Sequence, residues 1–451
     1  MNGKRRVEGL AIFAVLCLML GSAAGAWAQA PAAAGQDQGA GAKQPYTMAE
    51  YNAYQAAAAE KNPAQQIKQL DDFVSKYPNS ALLKYVYPLY YNAYSQLKNF
   101  SKVIEYADKL IALGDKVDDP AIRYQAYYAR AFAYNAMSGD KVVASDPVLA
   151  KAAQAAAVDG LKALDNLKKP DTVTDDAFAT QKKQIQIYFN GTAAQAALVQ
   201  KDFASAINFY KAVLVLNPDD AITTYRLGTT YLALTPPATM DGYWAMARAV
   251  TSKGANEAQA KKVKDYLRKL MANYQGGAVC DSLTDAELSE LLQLASSSPA
   301  RPDSYKLPAS ADLDAARKDM TIASVITDLK AGGDKGKVTW LASCGLEFPD
   351  VPGKLIEVDA GDPVVLKVAF VTSDAEFQAA TVANMDVKVV GQPEAAKLEK
   401  DNAVRFTGTL TSYDPDPAFM LHWDKAKVNA EDLPKEKAPA KKPTRRPAAK
   451  P

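Results

Sequence analysis

Paired helical segments recur along most of this chain and constrain its fold more than any other feature. Between Tyr46 and Leu294, apolar and alanine residues recur at three- and four-residue spacing, as on the buried face of a helix. Short stretches with Pro, Asp, Asn or Gly interrupt the pattern and end each helix. The predicted pairs are 48–60 with 63–76, 81–97 with 101–113, 121–137 with 148–167, 175–199 with 203–216, and 221–234 with 241–251, followed by helices at 259–273 and 285–294.

Two of these units match each other most closely. They begin at Ile187 and Ala221, which are 34 residues apart. Their pattern of large and small residues resembles the signature of the tetratricopeptide-repeat family, whose repeat is a helix–turn–helix of that length. The residues that carry the resemblance are Phe203, Ala206, Tyr210, Pro218, Leu227, Gly228 and Tyr231. The resemblance is strong over 187–231 and weaker elsewhere, and it implies that 46–295 forms a helical solenoid.

In the tetratricopeptide family, the first helix of each pair lines a concave groove that binds a partner protein or peptide. Carried onto this sequence, the resemblance assigns to the groove the residues Tyr85, Asn92, Gln96, Tyr188, Gln195, Tyr225 and Thr229. These side chains are uncharged and partly apolar, which suits an extended peptide or a partner helix. Tyrosine also packs between helices with its hydroxyl reaching water. For any one of these residues, packing remains an equal alternative to partner contact.

The period of the apolar pattern changes in the last third of the chain. A Ser- and Pro-rich stretch at 296–311 predicts a linker, and 312–342 predicts one or two helices. Alternating residues then predict about five short strands, at 354–358, 364–370, 382–390, 404–410 and 419–423. Strands of this number and length are typical of a small barrel. Their order resembles a small β domain that accompanies tetratricopeptide repeats in some exported bacterial proteins, and we expect an oligonucleotide/oligosaccharide-binding (OB)-like barrel within 312–433.

The two ends of the chain predict export and a basic tail. Lys4, Arg5 and Arg6, an apolar run over 10–20 and the small-residue site at Ala28 are typical of a cleaved signal peptide at 1–28. The Ala-, Gly- and Gln-rich segment 29–45 predicts a disordered linker. The tail 434–451, rich in Lys, Pro and Ala, predicts an extended disordered segment. We therefore expect a periplasmic or secreted protein with no transmembrane segment after cleavage.

Charge is distributed unevenly along the chain. The chain holds 53 basic and 51 acidic residues, but the tail holds seven basic residues and one acidic residue. With the first 28 residues also set aside, the remaining body holds 43 basic and 49 acidic residues. A basic tail on an acidic body suits contact with an anionic surface, such as lipid head groups or acidic glycans, and after export we expect no nucleic-acid partner. A purely solubilising tail is the equal alternative.

The inventory of reactive residues argues against catalysis. His422 is the only histidine, and its place between Leu421 and Trp423 in a predicted strand favours a solvent-facing residue. The sequence contains no complete set of catalytic residues, no complete set of metal ligands and no complete phosphate-binding loop. We therefore expect a non-enzymatic protein without cofactor or metal. After removal of Cys17, only Cys280 and Cys344 remain. They form a disulfide or stay as buried thiols, and the sequence does not decide between these states.

Together these patterns predict an α+β multidomain protein, mainly an all-α tetratricopeptide-like solenoid followed by a small β-barrel. The expected function is that of a scaffold or adaptor in the bacterial cell envelope, which binds a protein or peptide in the groove of the repeats. The alternative is a protein that binds an envelope glycan or polymer through its C-terminal β domain. The sequence identifies no individual partner.

Overall fold

The structure is a computed structural model that describes residues 45–277 and 280–434. The predicted signal peptide, nearly all of the predicted 29–45 linker and the tail after Pro434 lie outside the described residues. The described chain forms two compact units that divide between Ala260 and Lys261. It is mostly helical and ends in a five-stranded barrel, which confirms the coarse fold class predicted above. The predicted 296–311 linker lies within the second unit.

Helices account for nearly all regular structure in the described part of the first unit. Aspartate, asparagine or threonine begins most of them, because a short polar side chain accepts hydrogen bonds from the free N–H groups of the first turn. Asp119 and Asp220 cap their helices in this way. The helices are α1 (Met48–Ala59), α2 (Pro63–Lys76), α3 (Leu83–Gln96), α4 (Phe100–Ala112), α5 (Pro120–Met137), α6 (Lys141–Ala144), α7 (Pro147–Asp165), α8 (Asp175–Val199), α9 (Phe203–Leu216), α10 (Ala221–Leu232) and α11 (Thr239–Thr251).

Each long helix of the first unit packs against the next one along the chain. Large residues such as Phe73 and Tyr90 fill the spaces near the N-terminal end, where they are almost fully buried. Small residues bring other helices close together. Ala157 of α7 is fully buried, and a Cβ atom on Gly160 would lie 2.5 Å from the ring of Phe189 in α8. Burial of each large apolar side chain stabilises the unit by about 1.5–3 kcal/mol.

The second unit begins within α12 (Glu257–Tyr274) and continues with α13 (Asp281–Ser297). Three further helices precede the barrel: α14 (Ser310–Lys318), α15 (Ile322–Ala331) and α16 (Gly333–Ser343). The prediction of one or two helices over 312–342 was therefore wrong. Thr321 caps α15 and starts a new helix, and Gly332, with φ of 67°, separates α15 from α16 because glycine adopts this conformation without a steric penalty.

The barrel consists of β1 (Glu347–Asp359), β2 (Val364–Phe370), β3 (Met385–Val389), β4 (Ala403–Asp414) and β5 (Met420–Val428), with α17 (Asp374–Ala379) between β2 and β3. The sheet closes in the order β1-β2-β3-β5-β4. β3 and β5 run parallel, and the other neighbours are antiparallel. Alternate residues, including Leu366, Phe406 and Trp423, point inward and are buried together with apolar residues of α15.

Cys280 and Cys344 form a disulfide, with their Cα atoms 6.0 Å apart. Cys280 immediately precedes α13, and Cys344 immediately follows α16. The two cysteines are 64 residues apart in sequence, and the bond joins the start of α13 to the end of α16. In the described part of the chain, none of the helices is long and apolar enough to cross a membrane.

Candidate functional site

Contacts between side chains or helices link the first helices of the predicted pairs in chain order. The ring of Tyr54 in α1 lies 6.2 Å from that of Tyr85 in α3, and α3 contacts α5. Nδ2 of Asn135 in α5 donates to Oγ1 of Thr192 in α8, at 2.6 Å. Apolar residues of α8 and α10 share one cluster. These contacts link α1, α3, α5, α8 and α10 in chain order, and we call this set of helices the first-helix row.

Three predicted groove residues lie on α3. Tyr85 and Asn92 are half-buried, and Gln96 is exposed. Their spacings of seven and four residues place them on one side of the helix. Nζ of Lys84 lies 5.4 Å from the Tyr85 ring centroid and pairs with Asp118 at 2.6 Å. This side of α3 therefore offers an aromatic ring, two amides and a neighbouring ion pair.

The remaining predicted groove residues lie on α8 and α10. Gln195, Tyr225 and Thr229 are half-buried. The Thr229 hydroxyl donates to the carbonyl of Arg226 in its own helix, at 2.9 Å, so it is less available to a partner. Tyr225 and Thr229 are four residues apart and share one side of α10.

Tyr188 of α8 is half-buried and packs between helices. Its hydroxyl is buried, its ring lies 5.3 Å from that of Tyr128, and it packs against the apolar cluster of α5, α7 and α8. Burial raises the pKa of this tyrosine. The side chain therefore fills space between helices, which favours packing over partner contact for Tyr188. The spacing of seven residues from Gln195 does not reveal how closely α5 approaches this part of α8.

The residues of the repeat signature have mostly internal positions. Ala206, Tyr210 and Leu227 are buried in one cluster, and Tyr231 packs against it. Phe203 is half-buried at the start of α9, whereas Pro218 is exposed in the turn that follows the helix. A Cβ atom on Gly228 would lie 2.9 Å from the carbonyl oxygen of Gly242. Glycine is therefore required where α10 crosses α11.

An aromatic extension of the first-helix row was not recognised in the sequence. The rings of Tyr46 and Tyr51 stack with their centroids 6.0 Å apart, and both residues are half-buried. Tyr54, one helical turn beyond Tyr51, contacts Tyr85, and burial raises its pKa to about 12. Tyr46, Tyr51 and Tyr85 form an aromatic surface next to the buried ring of Tyr54. The signal that could have identified them is the three- to five-residue spacing of Tyr46, Tyr51 and Tyr54.

The outer face of the barrel carries a group of charged and ionisable residues on β2, β3, β4 and β5. Lys367 pairs with Asp386 at 2.7 Å, and the ring nitrogens of His422 lie 3.5 Å from Asp386 and 2.8 Å from Asp414. His422 is thus a surface residue held between two carboxylates. These contacts connect the side chains of β3, β4 and β5 and are suited to stabilising the strands.

A second aromatic group lies where β4 turns into β5. The ring of Trp340 meets that of Tyr413 edge-on at 4.9 Å, and Tyr413 lies 6.2 Å from Phe419. Nζ of Lys330 lies 5.0 Å from the Phe419 ring centroid. All three rings are half-buried, so they offer aromatic edges and faces next to a cation.

No group of three or more His, Cys, Asp or Glu residues in 45–277 and 280–434 is arranged to hold a metal ion. Comparison of the chain with protein-family models, with curated proteins and with solved structures finds no match. The arguments for function therefore rest on the two aromatic surfaces described above and on the sequence.

Proposed function

We propose that the helix pairs of the first unit form a tetratricopeptide-like solenoid, and that the first-helix row binds a partner protein. The protein then acts as a non-enzymatic scaffold of the bacterial cell envelope. The observation that supports this proposal is the series of contacts that links the first helices, together with the half-buried, uncharged residues on α3, α8 and α10. Export to the envelope is supported by the signal-peptide pattern of the first 28 residues.

The side chains of this row are suited to protein recognition. Tyrosine supplies a large contact area and loses little conformational entropy, because it has few rotatable bonds. Tyr46, Tyr51 and Tyr85 are already ordered by contacts with one another or with neighbouring helices. Amides such as Asn92 and Gln195 can donate to and accept from a peptide backbone. An extended segment rich in apolar and uncharged polar residues is the partner that fits this surface.

We predict that Tyr225→Ala and Gln195→Ala weaken partner capture without loss of the fold. Both residues are half-buried on the row, and truncation of a tyrosine in the centre of a protein interface typically costs about 2 kcal/mol or more of binding free energy. The mature protein and each variant would be used as bait in a quantitative pull-down from an envelope extract. Captured partners should fall at least tenfold with Tyr225→Ala.

Tyr231→Ala is the matched control, because Tyr231 lies on the same helix but packs against the internal cluster. It should lower the melting temperature more than either row variant does. If Tyr225→Ala and Gln195→Ala destabilise the protein as much as Tyr231→Ala does, the two side chains belong to the core. That result would show that this side of α8 and α10 packs inside the protein and is not the binding face.

A second candidate function is binding of an envelope glycan by the barrel. The closed strand order, with β3 parallel to β5, is that of OB-type barrels, which include oligosaccharide binders. The aromatic group of Trp340, Tyr413 and Phe419 offers rings for stacking against sugars. Titration of the mature protein with cell-wall glycan fragments separates the candidates. Glycan binding that Phe419→Ala abolishes, together with an envelope pull-down that captures no protein, would favour the barrel.

We predict that the basic tail contributes to binding of anionic membranes. Its seven basic residues are interspersed with prolines, and each Lys or Arg close to such a surface contributes about 1 kcal/mol at low salt. Truncation after Leu433 removes the tail but keeps Asp432, which pairs with Arg405 at 3.1 Å and holds the end of the barrel segment. At low salt, truncation should remove most of the protein that sediments with anionic vesicles. At high salt, the full-length and truncated proteins should sediment equally.

The matched control for the tail is a full-length variant in which its lysines and arginines are replaced by glutamine. This variant should behave like the truncated protein, because charge rather than length drives the contact. Equal sedimentation of wild type, truncation and glutamine variant at low salt would show that the tail only solubilises the protein.

A further inference from the structure

A buried carboxyl group with an unpartnered oxygen lies between α12 and α13. Glu287 of α13 is 6% exposed, and its Oε2 accepts a hydrogen bond from Nε2 of Gln275 at 2.8 Å. Gln275 follows α12 and is fully buried. The second oxygen of each side chain, Oε1 of Glu287 and Oε1 of Gln275, has no hydrogen-bond partner in the described structure.

A single proton on Glu287 provides a hydrogen-bond partner for both oxygens. An ionised carboxylate only accepts hydrogen bonds, whereas a protonated carboxyl group also donates one. If Oε1 of Glu287 carries the proton, it becomes a donor, and the bonded amide offers Oε1 of Gln275 as an acceptor. An acid and an amide can then pair through two parallel hydrogen bonds. Each buried acceptor that is left unsatisfied instead destabilises the folded state.

The charged groups around Glu287 do not compensate for its burial. Lys337 of α16 favours the ionised form, but it is itself paired with Glu290 at 3.0 Å. Arg268 of α12 is engaged by Asp281 and Asp285, at 2.9 and 2.6 Å. Burial is the largest influence on Glu287 and raises the pKa of this residue, against the opposing effect of the hydrogen bond from Gln275.

We propose that Glu287 is protonated in the folded protein and donates to Gln275, so that the pair joins α12 to α13 in acid and releases them when the proton leaves. The pKa of this carboxyl is higher in the folded chain than in the unfolded chain. Its stabilisation is therefore complete below the unfolded value, about 4.3, and is lost as pH rises through the folded value. The Cys280–Cys344 disulfide keeps α13 covalently joined to the end of α16 throughout, so the release is local.

The test is hydrogen exchange of α12 and α13 in the full mature protein and in Glu287→Gln, at matched pH from about 4 to about 8. The glutamine stays neutral and retains a donor for Gln275 at every pH. At about pH 4 the two proteins should exchange equally. Near pH 8 the wild type should exchange roughly tenfold faster in these helices, because the ionised carboxylate no longer donates a hydrogen bond to Gln275 and leaves a buried acceptor unsatisfied.

Glu257→Gln serves as the control, because Glu257 is an exposed glutamate at the start of α12. It should leave the pH dependence of exchange unchanged. Equal pH dependence in wild type and Glu287→Gln would overturn the proposal. A carboxyl-carbon NMR titration of the ¹³C-glutamate-labelled wild type is an independent measurement, which needs no variant to fold. A folded protein in which every glutamate carboxyl titrates in the ordinary range would also overturn it.

Discussion

Loss of the Cys280–Cys344 disulfide is expected to lower the free energy of unfolding of the second unit by about 4 kcal/mol. The bond closes a segment of 64 residues, and a cross-link over that length removes much of the conformational entropy of the unfolded chain. The expected loss corresponds to roughly a thousandfold change in the ratio of folded to unfolded molecules. Urea unfolding monitored by hydrogen exchange of the barrel strands measures it directly.

Two forms of the protein separate the cross-link from the side chains. The reduced wild type keeps both thiols, whereas Cys280→Ala/Cys344→Ala also removes the buried sulfur of Cys344, which is 1% exposed. The double variant should be slightly less stable than the reduced wild type, because it also creates a small cavity. Helices α1–α11 act as an internal control. Unchanged protection of the barrel after reduction would show that the bond contributes little to this unit.

Much of the helical architecture could be predicted because its signals are local. A repeated three- and four-residue spacing and a capping residue at each helix start are contained within a few turns of chain. Helices such as α9, at Phe203–Leu216, therefore agree with the prediction at both ends. The helix predicted at 285–294 is longer in the structure, at Asp281–Ser297. The first turn of this helix follows Cys280, whose disulfide partner Cys344 lies far away in sequence.

Strand β1 shows where the alternating pattern fails. The sequence predicted only 354–358, whereas the strand runs from Glu347 to Asp359. The first half of β1 does not resemble a strand in sequence because it contains Pro349, Pro352 and Gly353. Proline lacks a backbone donor and is unusual in a strand. The structure accommodates these residues through shifts in register, between Phe348 and Val351 against β4 and between Leu355 and Glu357 against β2. Such bulges depend on the neighbouring strands, so the local sequence does not reveal them.

The candidate sites depend even more on distant contacts. The first-helix row follows from the repeat pattern, but whether one of its tyrosines is open or buried depends on how closely the next helix approaches. Tyr85 is half-buried beside Tyr54, whereas the hydroxyl of Tyr188 is enclosed near Tyr128. The pairing of Glu287 with Gln275 likewise has no sequence signature. A glutamate on a helix is ordinarily exposed, and only the packing of α12 and α13 buries it.

Gly228→Leu is expected to be the most destabilising single substitution in the first unit among those considered. A Cβ atom at this position would lie 2.9 Å from both the Gly242 carbonyl oxygen and Cγ of Met246. The backbone oxygen cannot move aside without separating α10 from α11, and overpacking of this kind typically costs about 1–3 kcal/mol, occasionally more. Because α10 and α11 pack against each other, hydrogen-exchange protection of both helices should fall together.

The smaller change Gly228→Ala gives the sharpest comparison, because α8 contains a matched position. A Cβ atom on Gly191 would meet no other atom within 4 Å. Gly191→Ala should therefore stabilise the protein by about 0.5–1 kcal/mol, since alanine loses less backbone entropy than glycine in a helix. Gly228→Ala brings the same entropic gain but also the close contact with Gly242, and it should lower the melting temperature. If both alanine variants raise the melting temperature, α10 and α11 are far enough apart at Gly228 to accommodate a Cβ atom, and the close crossing is contradicted.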